Sequence, residues 1–214
     1  RVNGIRNDQV IKISAMIRPK TPRRGAERTM NVLAKLSKRY QAEVEIILFG
    51  VGETDSSFQD LNRDFTYSNR GVLTREGVAE VLQQSDIFVD LSDYQAFGRT
   101  ALEAMACGCA SILTKFGGVY EYAKHEKNCL LVDSFREDAV LRALERFIDD
   151  PSLLKSCQNA GLVTASSYSA HNAALSELEH LVDGFGRHSK MKPKMGKETL
   201  YLLPSMMRLD GPPT

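Results

Sequence analysis

Arg18 and Arg24 bracket a short stretch, Pro19-Lys20-Thr21-Pro22-Arg23, that two prolines stiffen, and Gly25 follows it before a helical pattern begins. Guanidinium groups and the free amides of a helix N-terminus both suit phosphate oxygens. Taken alone, the same stretch reads equally as a solvated basic loop. A second candidate, Gly50-Val51-Gly52-Glu53, holds two glycines of a dinucleotide fingerprint. It lacks the third, because Asp55 stands there, and no helix opens at once, so a nicotinamide site is not what it spells. Its glycines suit a tight turn or a close backbone approach to a ligand.

The strongest candidate is SDYQAFGRTALEAMACG, residues 92–108. Phe97 and Gly98 lead into a helix whose first-turn amides come from Arg99, Thr100 and Ala101, a set able to cradle a phosphate. Thr100 adds a hydroxyl. Glu103 lies one turn further on, among Ala, Leu and Met. A carboxylate there must find donors or stay hydrated. A ribose diol offers two donors, and the helix N-terminus contributes about 0.3–1 kcal/mol to keeping the acid ionised. The alternative is an ordinary Glu on a wet helix face. A fourth feature, Lys115-Phe116-Gly117-Gly118 followed by Tyr120 and Glu121, is a Gly-Gly turn. It would let its backbone approach the same ligand, or serve as a plain strand–helix connection.

These loops need a scaffold. Apolar runs begin at Val10 (VIKISAM), Val44 (VEIILF), Ile87 (IFVDL), Ala110 (ASILT) and Cys129 (CLLV), with a weaker one, FTYSN, from Phe65. They alternate little with polar residues, as strands buried on both faces do. Between them, Met30, Leu33, Leu36 and Tyr40 recur on one helical face. Val78, Val81 and Leu82 follow a capping Thr74, and Ala101, Leu102, Met105 and Ala106 follow Gly98. Ser134 and Glu137 form a capping-box pattern before Val140, Leu141, Leu144 and Phe147. Asp150-Pro151 reads as an N-cap and first-turn pair, and helical pattern continues, with a break, to about residue 182. The alternation predicts an α/β, Rossmann-like, doubly wound parallel sheet of about six strands with helices on both faces. Such a sheet binds ligands beyond the carboxyl ends of its strands.

The 214 residues suit one domain with a real core and a tail. Residues 1–9 read as a linker, 10–183 as the domain and 184–214 as a basic tail or linker. A net charge of +1 offers no footprint for nucleic acid. No apolar run approaches the ~20 residues of a membrane helix, and the start, RVNGIRND, has no signal-peptide core. The chain opens on Arg1 rather than Met, which raises the expectation of a piece of a longer protein. Cys107, Cys109, Cys129 and Cys157 form no CxxC pair, and the reading is reduced, buried thiols in a cytosolic protein.

Together these residues resemble the C-terminal domain of GT-B glycosyltransferases, specifically the large retaining group called glycosyltransferase family 4. The motifs cover residues 10–132 and the pattern runs to about 182, with LEAMACG and the later Gly-Gly turn the most specific parts. The resemblance implies one half of a GT-B fold that holds a nucleoside-diphosphate sugar. The family's diphosphate-binding Arg falls on Arg18, and its Lys before Gly falls on Arg24. The nucleobase contacts fall near Gly71, Val72 and Leu73, the Gly-x-Gly turn on Gly50, and the phosphate-binding helix start on Phe97, Gly98, Arg99, Thr100 and Ala101. The ribose-binding Glu falls on Glu103, and the Glu expected near the transferred sugar falls on Gln95, which cannot be an anion or a base but can hydrogen-bond hydroxyls.

No Asp-x-Asp occurs in the chain. That absence agrees with a leaving group stabilised without a metal, and the resemblance implies retaining transfer, with no cofactor beyond the donor, to a glycan or lipid-linked acceptor. It also implies a missing N-terminal GT-B domain as partner, a cytoplasmic location and a place in polysaccharide assembly. A sugar-nucleotide epimerase of the same fold, a non-catalytic nucleotide-sugar-binding domain and a partner-binding α/β domain remain as alternatives. The 184–214 segment carries six basic and two acidic residues and then LYLLPSMM. It reads as a flexible tail, a docking segment for the missing domain, or a peripheral attachment to an anionic membrane surface.

Overall fold

The computed structural model describes residues 10–190. The 1–9 linker, the tail beyond residue 190 and its LYLLPSMM stretch lie outside the described residues. The described residues divide into two compact units, the first ending at Tyr168 and the second beginning at Ser169.

The first unit is built on six strands, β1 (Ile11–Met16), β2 (Val44–Phe49), β3 (Ser68–Asn69), β4 (Ile87–Asp90), β5 (Ala110–Thr114) and β6 (Cys129–Val132). They pair in parallel in the order β3-β2-β1-β4-β5-β6. The chain steps outward from β1 to β2 and β3, then returns to the other side of β1 as β4. The crevice between the carboxyl ends of β1 and β4 is thus the topological switch point, where such sheets bind ligands.

Successive strand residues explain why the runs lack polar alternation. Ile13, Ala15, Ile46, Leu48, Ile87, Val89, Ile112 and Leu130 pack on one face with α1 (Ala26–Tyr40) and α5 (Glu137–Asp149). Ile47, Phe49, Phe88, Leu113 and Cys129 pack on the other with α3 (Arg75–Gln83) and α4 (Arg99–Ala106). Both faces are dry, so both sets of side chains are apolar. Met30, Leu33 and Leu36 of α1 are fully buried, as their spacing predicts.

The helix starts separate two kinds of serine and threonine. Thr74 Oγ1 accepts from Gly77 N at 3.2 Å, and Asp150 accepts from Ser152 N and Leu153 N at the head of α6 (Pro151–Ser166). Ser134 does not complete a capping box. Its hydroxyl is fully buried and donates to Ser92 O at 2.9 Å, because that buried carbonyl needs a donor, while α5 starts from Arg136 with no side-chain cap. The weak run from Phe65 also shortens. Only Ser68 and Asn69 pair with β2, while Phe65 and Tyr67 turn their rings to one another at 5.3 Å and Tyr67 meets Phe58 edge-on. Between β2 and β3 lies a single turn of helix, α2 (Ser56–Gln59), capped by Asp55.

All four cysteines are free, and Cys109, Cys129 and Cys157 are buried. Burial pushes the Cys109 and Cys129 thiols up to about 12, so both stay protonated at neutral pH.

The second unit contributes α7 (Ala170–Lys190), which runs past residue 183. Leu175, Leu178, Leu181, Val182 and Phe185 recur along it at helical spacing, and all are exposed. Among the described residues no helix is long and apolar enough to cross a membrane.

Candidate functional site at the switch point

The loop after β1 closes against the end of β4. Gly25 sits in the left-handed region at φ 63°, and a Cβ there would run into the Leu91 carbonyl and the Arg28 side chain. With that space open, Arg28 donates to Leu91 O at 3.1 Å and pairs with Asp93, and its guanidinium lies over the Phe135 ring. Asp93 N donates to Arg23 O at 2.8 Å, which fastens the two loops by their backbones.

This closure carries Arg24 inward. Its Nη1 lies 3.6 Å from Asp90 Oδ2, with only 20% of the arginine side chain and 9% of the aspartate exposed. The same Oδ2 accepts from Gln95 Nε2 at 2.6 Å. Asp90 Oδ1 accepts from Ser92 N at 3.0 Å and from Ser92 Oγ at 2.5 Å. Arg24 and Gln95, distant in sequence, therefore meet through one carboxylate at the mouth of β4. Asp90 was not singled out from the sequence, where it reads as the last residue of an apolar run. A lone acid ending a doubly buried strand is the signal that marks it.

Gln95 is also fixed by its backbone. Its N–H donates to Phe116 O at 3.2 Å, and its carbonyl accepts from Gly118 N at 2.7 Å, a bridge between the loop and the Gly-Gly turn. A Cβ on Gly117 would overlap Gln95 O, and one on Gly118 would overlap Ala96 O. The close approach that these glycines allow is thus to residues 95–97 of the same chain. The turn braces the loop that carries Gln95.

At the head of α4, Gly98 has φ 86°, and a Cβ on it would meet Tyr122 Oη. That hydroxyl donates to Gly98 O at 2.8 Å and, being buried, titrates above its usual range. Phe97 packs its ring on Tyr122 and Tyr168, 5.3 and 5.8 Å away. The three amides of the expected phosphate cradle differ in their partners. Ala101 N donates to Gly98 O at 3.1 Å because the glycine cap turns its carbonyl along the helix, leaving Arg99 and Thr100 as the forward amides. Glu103 sits on the open side of α4 with its side chain 40% exposed, and its Oε1 lies 3.4 Å from Arg99 Nε.

Gly50 and Gly71 adjoin this edge. Gly50 N donates to Gly71 O at 2.7 Å, and at φ 99° a Gly50 Cβ would come within 2.9 Å of Ile17 O. Val72 is 78% exposed and Leu73 packs on the second core. Arg18 directly follows Ile17, is exposed, and pairs with no carboxylate among the described residues. The structure thus joins Arg24 to Gln95 and Gly50 to Gly71, and it leaves the Arg18 side chain outside that hydrogen-bonded cluster.

The profile of the family "Glycosyl transferases group 1" matches residues 6–163. The chain belongs to the group 1 glycosyltransferases. Among curated relatives it is 26% identical over 144 residues to the uncharacterized glycosyltransferase YqgM of Bacillus subtilis, an alignment covering 65% of this chain and 40% of that protein. The chain therefore spans well under half the length of this relative. Among solved folds it resembles Anabaena HepE in complex with UDP and glucose, with a TM-score of 0.64 and 19% identity over 78% of this chain and 48% of that one. It also resembles the C-terminal domain of a group 1 glycosyl transferase from Francisella tularensis, with a TM-score of 0.62 and 22% identity over 75% of this chain and 87% of that one. The Rossmann-like sheet is thus the fold seen in other glycosyltransferases, and this group 1 chain aligns along most of the Francisella C-terminal domain.

Proposed function

We propose that this group 1 chain is the donor-binding half of a retaining, metal-independent glycosyltransferase that holds a nucleoside-diphosphate sugar across the ends of β1 and β4. The observation that carries the reading is the Arg24–Asp90–Gln95 cluster at the switch point, beside the glycine-capped start of α4. A cation and free amides at that spot suit a diphosphate, and Gln95 beside them suits a polar group attached to it. The neighbour solved with UDP and glucose supports the same ligand class.

In this reading Arg18, exposed and free to swing, joins Arg24 and the amides of Arg99 and Thr100 on the two phosphates. Glu103, on the open side of α4, takes the ribose hydroxyls, and the Gly71-Val72-Leu73 edge offers exposed Val72 to the base. The bond from the anomeric carbon to the diphosphate oxygen breaks with its electron pair going to the diphosphate. The acceptor oxygen forms the new bond on the same face, and its proton passes to the departing diphosphate. Positive charge and fixed dipoles at the leaving group lower this barrier without a metal. The acceptor, a glycan or a lipid-linked saccharide, is held by a second domain that supplies the opposite wall.

Calorimetric titration of the chain with UDP, GDP and dTDP tests the reading. Saturable binding of one of them is expected, weakened at least about tenfold by Arg18→Ala or Glu103→Ala, a loss of ~1.4 kcal/mol each. Folded protein that binds none of the three overturns it. The chain alone should show negligible transfer, and robust turnover by it would refute the two-domain requirement.

A further inference from the structure

The hydrogen bonds around Asp90 have only one consistent set of directions. An ionised carboxylate accepts and never donates, and a serine hydroxyl has one proton. Ser92 Oγ gives that proton to Asp90 Oδ1 at 2.5 Å. The serine oxygen is then an acceptor toward Gln95 Nε2, 2.9 Å away. The second Nε2 hydrogen goes to Asp90 Oδ2 at 2.6 Å. Both hydrogens of the Gln95 amide are therefore used inside the protein. No described residue donates to its Oε1, and that atom is not among the sealed, unsatisfied ones. Asp90 accepts from Ser92 N and Oγ at Oδ1 and from Gln95 at Oδ2, and Arg24 Nη1 is its ion-pair partner 3.6 Å from Oδ2.

Resting on the donor-binding reading above, we propose that Asp90 is a positioning residue that turns the Gln95 amide so that only its oxygen faces the ligand, making this a subsite that accepts a hydrogen bond from a sugar hydroxyl and donates none. The negative charge of the subsite sits one step back, on the strand end, where it holds Arg24 in place rather than touching sugar. Gln95 thus keeps the accepting half of a carboxylate's behaviour, and the charged half resides in Asp90.

Two measurements on the full chain test this. In the NMR spectrum of the ligand-free protein, both Gln95 side-chain NH₂ protons should exchange slowly with water, and Asp90→Asn should abolish that protection. Rapid exchange in the wild type, or protection unchanged in Asp90→Asn, overturns the assigned orientation. The second measurement compares UDP with UDP-glucose by calorimetry. Gln95→Glu places a second carboxylate 2.6 Å from Asp90, and like charges that close oppose one another. UDP-glucose affinity should fall by about tenfold or more, with UDP alone changing less than about threefold.

Adding Asp90→Asn to Gln95→Glu restores one charge and one amide in exchanged places, and it should return UDP-glucose affinity to within about threefold of wild type. A double variant as weak as Gln95→Glu, in protein shown to be folded by circular dichroism, overturns the proposal. Failure of folded wild type to bind either UDP or UDP-glucose would instead strike the donor-binding reading and the ligand half of this one, while the amide exchange still decides whether Asp90 orients Gln95.

Discussion

Single carboxylates carry much of the local order around the candidate site, and each does so differently. Asp55 accepts from Lys20 Nζ at 2.7 Å and from Ser57 N and Oγ, tying the Arg18 loop to the turn after β2. The Lys20 ammonium and the Ser57 hydrogen bonds hold its carboxyl down at about 2, against an ordinary 3.8. A group whose folded pKa is depressed stabilises the fold above the unfolded value and loses that contribution as pH falls through the folded one. The urea midpoint of the wild type should therefore drop more steeply between pH 4 and pH 2 than that of Asp55→Asn. Parallel acid profiles would dismiss the tether. Arg24 and Glu103 were picked out by residue type and spacing, and Gln95 only through the family resemblance. Asp90 was not, because a carboxylate closing an apolar strand looks like the point where the strand meets water. Its worth lies in partners 66 positions upstream and 5 downstream, which no local pattern displays.

At the scale of elements, the strands and the faces of α1, α3 and α4 followed from apolar spacing because dry faces on both sides of a sheet leave little choice of residue. Thr74 and Asp150 were readable caps since their partners lie two or three residues away. Ser134 was misread for the opposite reason: its acceptor, Ser92 O, comes from another strand's loop. The two glycines of the 117–118 turn gave their freedom away in sequence but not its beneficiary. Gly118→Ala would force a methyl onto Ala96 O and should cost about 1–3 kcal/mol in urea unfolding. Gly52→Ala, with nothing within 4 Å of the new methyl, is the matched control and should cost under about 1 kcal/mol. Equal losses for the two would dismiss the bracing role.

For the whole molecule, the compact first unit ends at Tyr168, fourteen residues before the helical pattern gives out in sequence. The difference arises because periodicity reports that a helix forms, not which body it joins. Tyr168 belongs with the sheet: its ring lies 5.8 Å from Phe97 and 6.1 Å from Tyr122, and its hydroxyl donates to Glu121 O at 3.0 Å. A chain ended after residue 169 should keep its Tm within about 2 °C, whereas one ended after residue 167 should lose several degrees, at roughly 2–4 °C per kcal/mol for a protein of this size. Scanning calorimetry that gives the two truncations the same Tm would dismiss Tyr168 as a closing residue. The backbone clasp on Gln95 has a longer reach. Because main-chain atoms alone anchor that position to the neighbouring crossover, the fold specifies a location and leaves its lettering open. An acid and an amide can therefore be exchanged at that position on the same backbone, provided residue 90 is exchanged with it.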